Sequence, residues 1–250
     1  MISDDGRPGL RSGYLTVNTT TVDTRSDTAM KQPAPISGED VDQEQQNIRY
    51  ELAILAFRLL DAEKAAAGVE PWVNSPDAYG KLLGCWQTEN GPLGRLIVLR
   101  GFADDAELLR ERMRARASDR PFGAGDHLTD LTTQSFVPFP FVPPVQTGQF
   151  GPAYEIRDYH LRPGGLPATM AGWRKALPAR HRIDPLTVVM YALDGPDRVL
   201  QIWPFHSLDE RVAIRRDLYA SGQWPPPGGP EQILEATSVI AWPTQFSPLT

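Results

Sequence analysis

The stretch YEIRDYHLRPGG, Tyr154 to Gly165, alternates like a β-strand and ends in a Pro-Gly-Gly turn. Residues two apart in a strand share a face, so Glu155, Arg157 and Tyr159 point together. A carboxylate beside a guanidinium is held ionised and can orient a substrate or accept a proton, while a nearby phenol can donate one. Glu155 and Tyr159 are therefore the candidate catalytic pair, and Arg157 the clamp for a substrate anion. The same trio can instead be a structural ion pair with a satisfied hydroxyl at a seam between sheets. If the trio faces inward, it lines a cavity.

Other chemistry is thin. The histidines, His127, His160, His181 and His206, are scattered with no pair at ligand spacing, which argues against a metal site. His160 falls on the strand face opposite the trio. The single cysteine, Cys85, cannot form an internal disulfide, reads as a small apolar strand residue, and suits a reducing compartment. No phosphate-binding glycine loop and no GxSxG elbow occurs, so neither nucleotide-dependent chemistry nor serine hydrolysis is expected, and no cofactor is implied. Trp86, Tyr191, Trp203 and Trp242 can wall an apolar pocket, although core packing explains each one singly. The arginines of RERMRARASDR (Arg110, Arg112, Arg114 and Arg116) read as a solvated helix face. A net charge of −6 gives no field for nucleic acid or an anionic membrane.

The elements that position these residues come in duplicate. YELAILAFRLL from Tyr50 matches YEIRDYHLRP from Tyr154 at an offset of 104, GRLIVLRGF matches DRVLQIWPF at 103, and SFVPFPFVPP matches IAWPTQFSPL at 105. Three blocks in one order at one spacing describe a repeat. We read two modules, 47–145 and 152–250, joined by PPVQTGQFGP. The residues before them, 1–46, are rich in Ser, Thr, Asp, Gly and Pro, and are expected to be a disordered tail. Either Met1 or Met30 can start the chain. With no signal sequence or membrane anchor expected, the chain reads as cytoplasmic.

Within the second module the strand at Tyr154 precedes a helix carrying Leu166, Met170, Trp173 and Leu177 on one stripe, with Pro178 at its end. A hairpin, LTVVMYAL–DGPD–RVLQIWPF, follows. Ser207 and Glu210 form a capping box that opens a second helix through about Ala220, and ILEATSVIAW is the last strand. The order is β-α-β-β-α-β, a ferredoxin-like unit with both helices on one sheet face. The bare face must be buried, and the tandem copy is the nearest partner, so two sheets close into a barrel.

Several of these residues resemble the NIPSNAP family. They are LLGCWQTENGPLGRLIVLRGFADDAE in the first module and YEIRDYHLRPGGLP, QIWPFHSLDERVAIRRDL and PTQFSPL in the second. The resemblance implies an α+β fold, a dimeric α+β barrel, here formed within one chain by two tandem ferredoxin-like modules. It implies little chemistry, since bacterial members mostly lack an assigned reaction. The two halves depart from one another. Ala53 and Leu55 stand where the second module has Arg157 and Tyr159, Arg100 stands for Trp203, and only the first keeps the Trp86, Thr88, Glu89, Gly91, Pro92, Leu93 turn. At most one well-formed polar site per barrel is therefore expected.

Two functional readings follow. In the first, the barrel binds a small molecule and catalyses a cofactor-free step such as proton transfer, isomerisation or oxygenation. Glu155 and Tyr159 would act on a substrate held by Arg157, Trp86, Glu89, Tyr191 and Trp203. In the second, the barrel is a non-catalytic scaffold with its partner surface outside, a reading kept open by the mitochondrial and vesicle-linked interaction roles of eukaryotic members. Barrels can also pair as a homodimer. A cavity of roughly 300 Å³ or more favours the first reading, and a lumen filled by side chains with no pocket near Glu155 the second.

Overall fold

The structure, a computed structural model, describes residues 33–250. Its eight strands are β1 (Arg49–Phe57), β2 (Lys81–Asn90), β3 (Arg95–Phe102), β4 (Leu128–Pro138), β5 (Ala153–Leu161), β6 (Val188–Ala192), β7 (Arg198–Phe205) and β8 (Ile233–Pro243). After a short turn of helix, α1 (Gln43–Gln46), the helices are α2 (Ala62–Val73), α3 (Asp105–Ala117), α4 (Leu166–His181) and α5 (Leu208–Ala220). Each half runs β-α-β-β-α-β. The strands close into a barrel in the order β1-β3-β2-β8-β5-β7-β6-β4. Pairing of β2 with β8 and of β4 with β6 joins the halves, so one chain satisfies all sheet edges and needs no second copy to close.

Local signals explain the helix ends. Ser207 Oγ accepts from the Glu210 amide at 3.0 Å, and Glu210 Oε2 accepts from the His206 amide at 2.6 Å. Asp104 and Glu107 repeat this box at the start of α3. Pro178, expected to end α4, lies inside it. The last turn persists because its side chains are anchored: Arg180 pairs with Asp184 at 2.7 Å, and His181 Nδ1 accepts from the Leu186 amide at 3.0 Å.

Three apolar clusters divide the interior. Tyr50, Leu52, Trp86, Leu99, Phe136, Tyr154, Ile156, Met190 and Ile202, drawn from both halves, fill the lumen. Ala53, Leu55, Val69 and Phe122 pack the outer sheet face of the first half under α2, and Trp173, Leu177, Val199 and Trp203 do the same in the second under α4 and α5. Cys85 is fully buried in the first of these layers.

This arrangement corrects the expected orientation of the trio. Across the ladder Glu155 stands opposite Trp203, Arg157 opposite Gln201 and Tyr159 opposite Val199, and paired residues share a face. That face lies under the helices, not in the lumen. Tyr154 and Ile156 take the lumen positions. The physical reason is supply of partners: the lumen around them is apolar, whereas α5 offers arginines to a carboxylate that cannot stay unpaired when buried.

The expected tail needs a second correction. Up to residue 32 it lies outside the described residues. Beyond that, Ile36 is buried in the helix layer, Asp40 pairs with Arg174 at 2.6 Å, and the Ala34 carbonyl lies 3.1 Å from His181 Nε2. One apolar side chain and two polar anchors suffice to hold the segment on α4. Among the described residues no helix is long and apolar enough to cross a membrane.

Because Leu52 is 2% exposed within the lumen cluster, Leu52→Ala should cost about 2–5 kcal/mol in urea unfolding, the range for a buried leucine that leaves a void. A loss below about 1 kcal/mol would mean that the lumen is open to water.

Candidate functional site

Glu155 is the centre of the polar layer between the second-half sheet and α5. It is 1% exposed and accepts from Arg211 Nη2 at 2.5 Å, from Arg215 Nη1 at 3.2 Å and from Ser238 Oγ at 2.6 Å, with Arg157 Nε at 3.9 Å. Burial alone would raise its carboxyl, but the hydrogen bonds from Arg211 and Ser238 and the charges of Arg215 and Arg211 outweigh it and hold the group below its ordinary value. An ionised carboxylate with its lone pairs occupied positions arginines. It is a poor proton acceptor.

The helix supplies these partners by spacing. Arg211 and Arg215 are four apart on α5, so both lie over the sheet. In the first half Glu51, also 1% exposed, accepts from Arg100 Nη2 at 2.5 Å and from Arg112 Nε at 3.2 Å. Arg100 also pairs with the fully buried Glu111, which Arg114 holds as well. The arginine run of α3 is thus only partly a solvated face, since Arg112 and Arg114 turn inward to buried carboxylates.

Beside Glu155 the second half holds a surplus of donors. Arg180, 3% exposed, lies 3.8 Å from the Trp203 ring centroid and 4.2 Å from that of Trp224, with Asp184 as its ion-pair partner. The Nε atoms of Arg157, Arg180 and Arg211 and the Gln201 amide nitrogen are buried with no acceptor. Burial raises the Asp184 carboxyl to about 6, against the pull of Arg180. It also pushes the Tyr159 phenol well above its usual range, so that group stays protonated and can only donate.

A cavity of about 180 Å³ opens at the end of this layer. It is lined by Tyr159, by Thr169 and Trp173 of α4, by Tyr219 of α5, by the loop from Trp224 to Pro230, and by Ile233. The loop can lie on α4 because Gly172 has no side chain: a Cβ there would sit 2.3 Å from the Pro227 carbonyl oxygen. Gly68 meets Gly123 in the same way in the first half, but there the neighbouring Phe122 is fully buried against Trp72 and Arg100.

The structure brings Glu155, Arg157, Tyr159, Tyr191 and Trp203 to one sheet face. It does not bring Trp86, which packs in the lumen 5.1 Å from Tyr154, or Glu89, exposed at the end of β2. Sequence reasoning missed Arg180, Arg215, Trp224 and Tyr219. The spacing of Arg211 and Arg215 was the available signal for one pair, whereas nothing near Arg180 or Trp224 announces their meeting. Among the described residues no three His, Cys, Asp or Glu side chains converge as metal ligands.

Comparison with known proteins comes down on the second half. The NIPSNAP family model matches residues 154–248. A NIPSNAP family protein of unknown function from Agrobacterium tumefaciens is 30% identical over 40% of this chain and 96% of its own, with a TM-score of 0.37. A putative monooxygenase from Lactobacillus acidophilus aligns over 80% of this chain and 98% of its own at 9% identity and a TM-score of 0.60. An anthrone oxidase-like protein aligns over 85% and 96% at 11% identity and a TM-score of 0.59. These two share the barrel fold. The curated proteins contain no match.

Two measurements follow from the charges. Glu155→Gln should destabilise the protein by about 3 kcal/mol in urea, the low end for breaking a buried pair because Arg211 and Arg215 stay partly hydrated. Full stability in that variant would remove the structural role. Asp184 titrates near 6 when folded and near 3.9 when unfolded, so its protonated form favours the fold. Its contribution is complete below about pH 4 and is lost as pH rises through about 6. The stability of wild type relative to Asp184→Asn should fall by roughly 3 kcal/mol across that window, and a flat difference would exclude the raised value.

Proposed function

The chain belongs to the NIPSNAP family through its second half, and we propose that this half binds a small molecule between the β5–β7 face and helices α4 and α5. The observation that carries the reading is the aromatic-walled cavity beside Tyr159, Trp173, Tyr219 and Trp224. At about 180 Å³ it lies below the roughly 300 Å³ where drug-sized sites begin, which restricts the ligand to about one ring. In this proposal Tyr159 touches the ligand as a hydrogen-bond donor. Arg157, 5.2 Å from the Tyr159 ring centroid, and Arg180 supply positive potential from behind. Glu155 positions the arginines and takes no proton. Trp203 backs the Trp173 and Trp224 walls without lining the pocket, and Tyr191, packed on Phe139, Trp86 and Glu89 have no part in it.

A reaction here would be a cofactor-free step on an electron-rich substrate: proton transfer, isomerisation or oxygenation. A putative monooxygenase and an anthrone oxidase-like protein share the barrel at 9% and 11% identity, so oxygenation enters as fold analogy. The scaffold reading is favoured by a different observation, the filled lumen, which leaves the barrel itself as a rigid support.

The deciding experiment is fragment binding followed by quenching of tryptophan fluorescence, since Trp173 and Trp224 line the cavity. Single-ring aromatic fragments should quench the wild type and fail to quench Ile233→Trp, whose larger side chain fills the space. Unchanged quenching in that variant would place binding elsewhere, and no quenching by any fragment in wild type would favour the scaffold.

A further inference from the structure

We infer that the cavity takes a single-ring hydroxy-aromatic or enolic ligand and holds it as its oxyanion between two phenol donors, Tyr159 and Tyr219. The inference rests on the binding reading above and names its substrate class. Both tyrosines line the cavity. Arg215 Nη2 donates to the Tyr219 oxygen at 3.3 Å, so the Tyr219 proton is free to point elsewhere. The Gln201 side chain meets the Tyr159 oxygen from the sheet; because its Oε1 already accepts from Trp203 Nε1 at 2.8 Å, the amide nitrogen is the group that faces the phenol, which leaves the Tyr159 proton for another acceptor. Two donors therefore stand at one cavity, Tyr159 in its wall and Tyr219, 46% exposed, at its mouth.

The rest of the wall selects the partner. Trp173 and Trp224 meet edge to face at 4.8 Å, and Pro225, Pro226 and Pro230 complete an apolar enclosure suited to a flat ring. No carboxylate lines the cavity, so nothing there would receive a cation. Behind the wall, Arg157 lies over Tyr159, Arg215 over Tyr219 and Arg180 over Trp224. With Arg211 these are four cations to the three carboxylates Glu155, Asp184 and Glu210. A guanidinium on the outer face of a phenol makes its proton a stronger donor, and the uncompensated charge favours an anionic guest over a neutral one. The ligand's hydroxyl proton goes to solvent on binding, and its oxygen receives the two phenol hydrogen bonds.

The probe is 4-nitrophenol, whose phenolate absorbs in the visible, with nitrobenzene as the ring without an acidic proton. Titrated onto the full chain across pH, bound 4-nitrophenol should ionise with a midpoint at least about one unit below that of the free compound, a tenfold shift. Tyr159→Phe and Tyr219→Phe should each return roughly three- to tenfold of that shift, the worth of one hydrogen bond, with the melting temperature retained. A bound midpoint equal to the free one, or variants that keep the full shift, would overturn the inference. If nitrobenzene binds while 4-nitrophenol shows no shift, the cavity stands and the oxyanion assignment alone falls. If neither compound binds, both fall together.

Discussion

A buried glutamate on the first strand of each half, clamped by arginines, is the constraint around which the molecule is arranged. Glu51 and Glu155 are each 1% exposed, and an isolated carboxylate in such a place would be unaffordable. Each must therefore draw guanidinium groups to it, and the second helix of each half supplies them: Arg112 from α3, and Arg211 and Arg215 from α5. A point attraction between two elements does what apolar packing does less well. It fixes the register of helix on sheet, because a guanidinium one turn away would leave the carboxylate unpaired. Replacing such clusters by apolar residues often leaves stability unchanged, so their contribution here is to arrangement more than to net stability.

Given that constraint, the two halves solve it differently. Opposite Glu51 on the neighbouring strand stands Arg100; opposite Glu155 stands Trp203. At the matching helix positions the types are exchanged, with Leu108 on α3 and Arg211 on α5. Charge moved from strand to helix, and apolar bulk moved from helix to strand. The exchange has a consequence for space. In the first half Arg100 reaches outward to Glu111 and lies over Phe122, whose backbone sits at φ +56, a conformation a bulky residue holds only when its buried ring compensates. In the second half Trp203 instead packs on Arg180, Trp173 and Trp224, and the loop aromatic there is the buried Trp224. The cavity lies beside it.

How far the sequence reveals this depends on which features are local. The repeat, the element order and the capping boxes at Asp104 and Ser207 are legible because each rests on residues close in the chain. Grouping Glu155, Arg157 and Tyr159 on one face is legible for the same reason, through the two-residue period of a strand. Which face it is cannot be read from that period. In a barrel coated by helices both faces of a strand are buried, so the usual cue of polar outside and apolar inside is lost. Here the aromatic Tyr154 and the aliphatic Ile156 go to the lumen, and the charged residues go under the helices. Trp86 is misread by the same logic, since a tryptophan packs equally well on either side. The meeting of Arg180, Trp203 and Trp224 comes from a helix, a strand and a loop, and no spacing encodes it.

The division of labour between lumen and helix layers follows from these placements. A lumen contributed by both halves must serve two sheets at once, and apolar side chains from every strand meet there. Any polar group introduced at its centre would need a partner from the opposite sheet. The helix layers have no such restriction, because each belongs to one half. With both halves on a single chain, a residue in one layer can change without the same change appearing in the other. Two identical subunits could not separate them in this way. The first layer can then hold the barrel together through Arg100, Glu51 and Glu111, while the second keeps its unpaired donors and its space at Tyr159. Unpaired buried donors weaken a fold that does not use them; among the described residues Arg100 Nε is such a donor in the first half, while Arg157, Arg180 and Arg211 place three together in the layer that ends in the cavity.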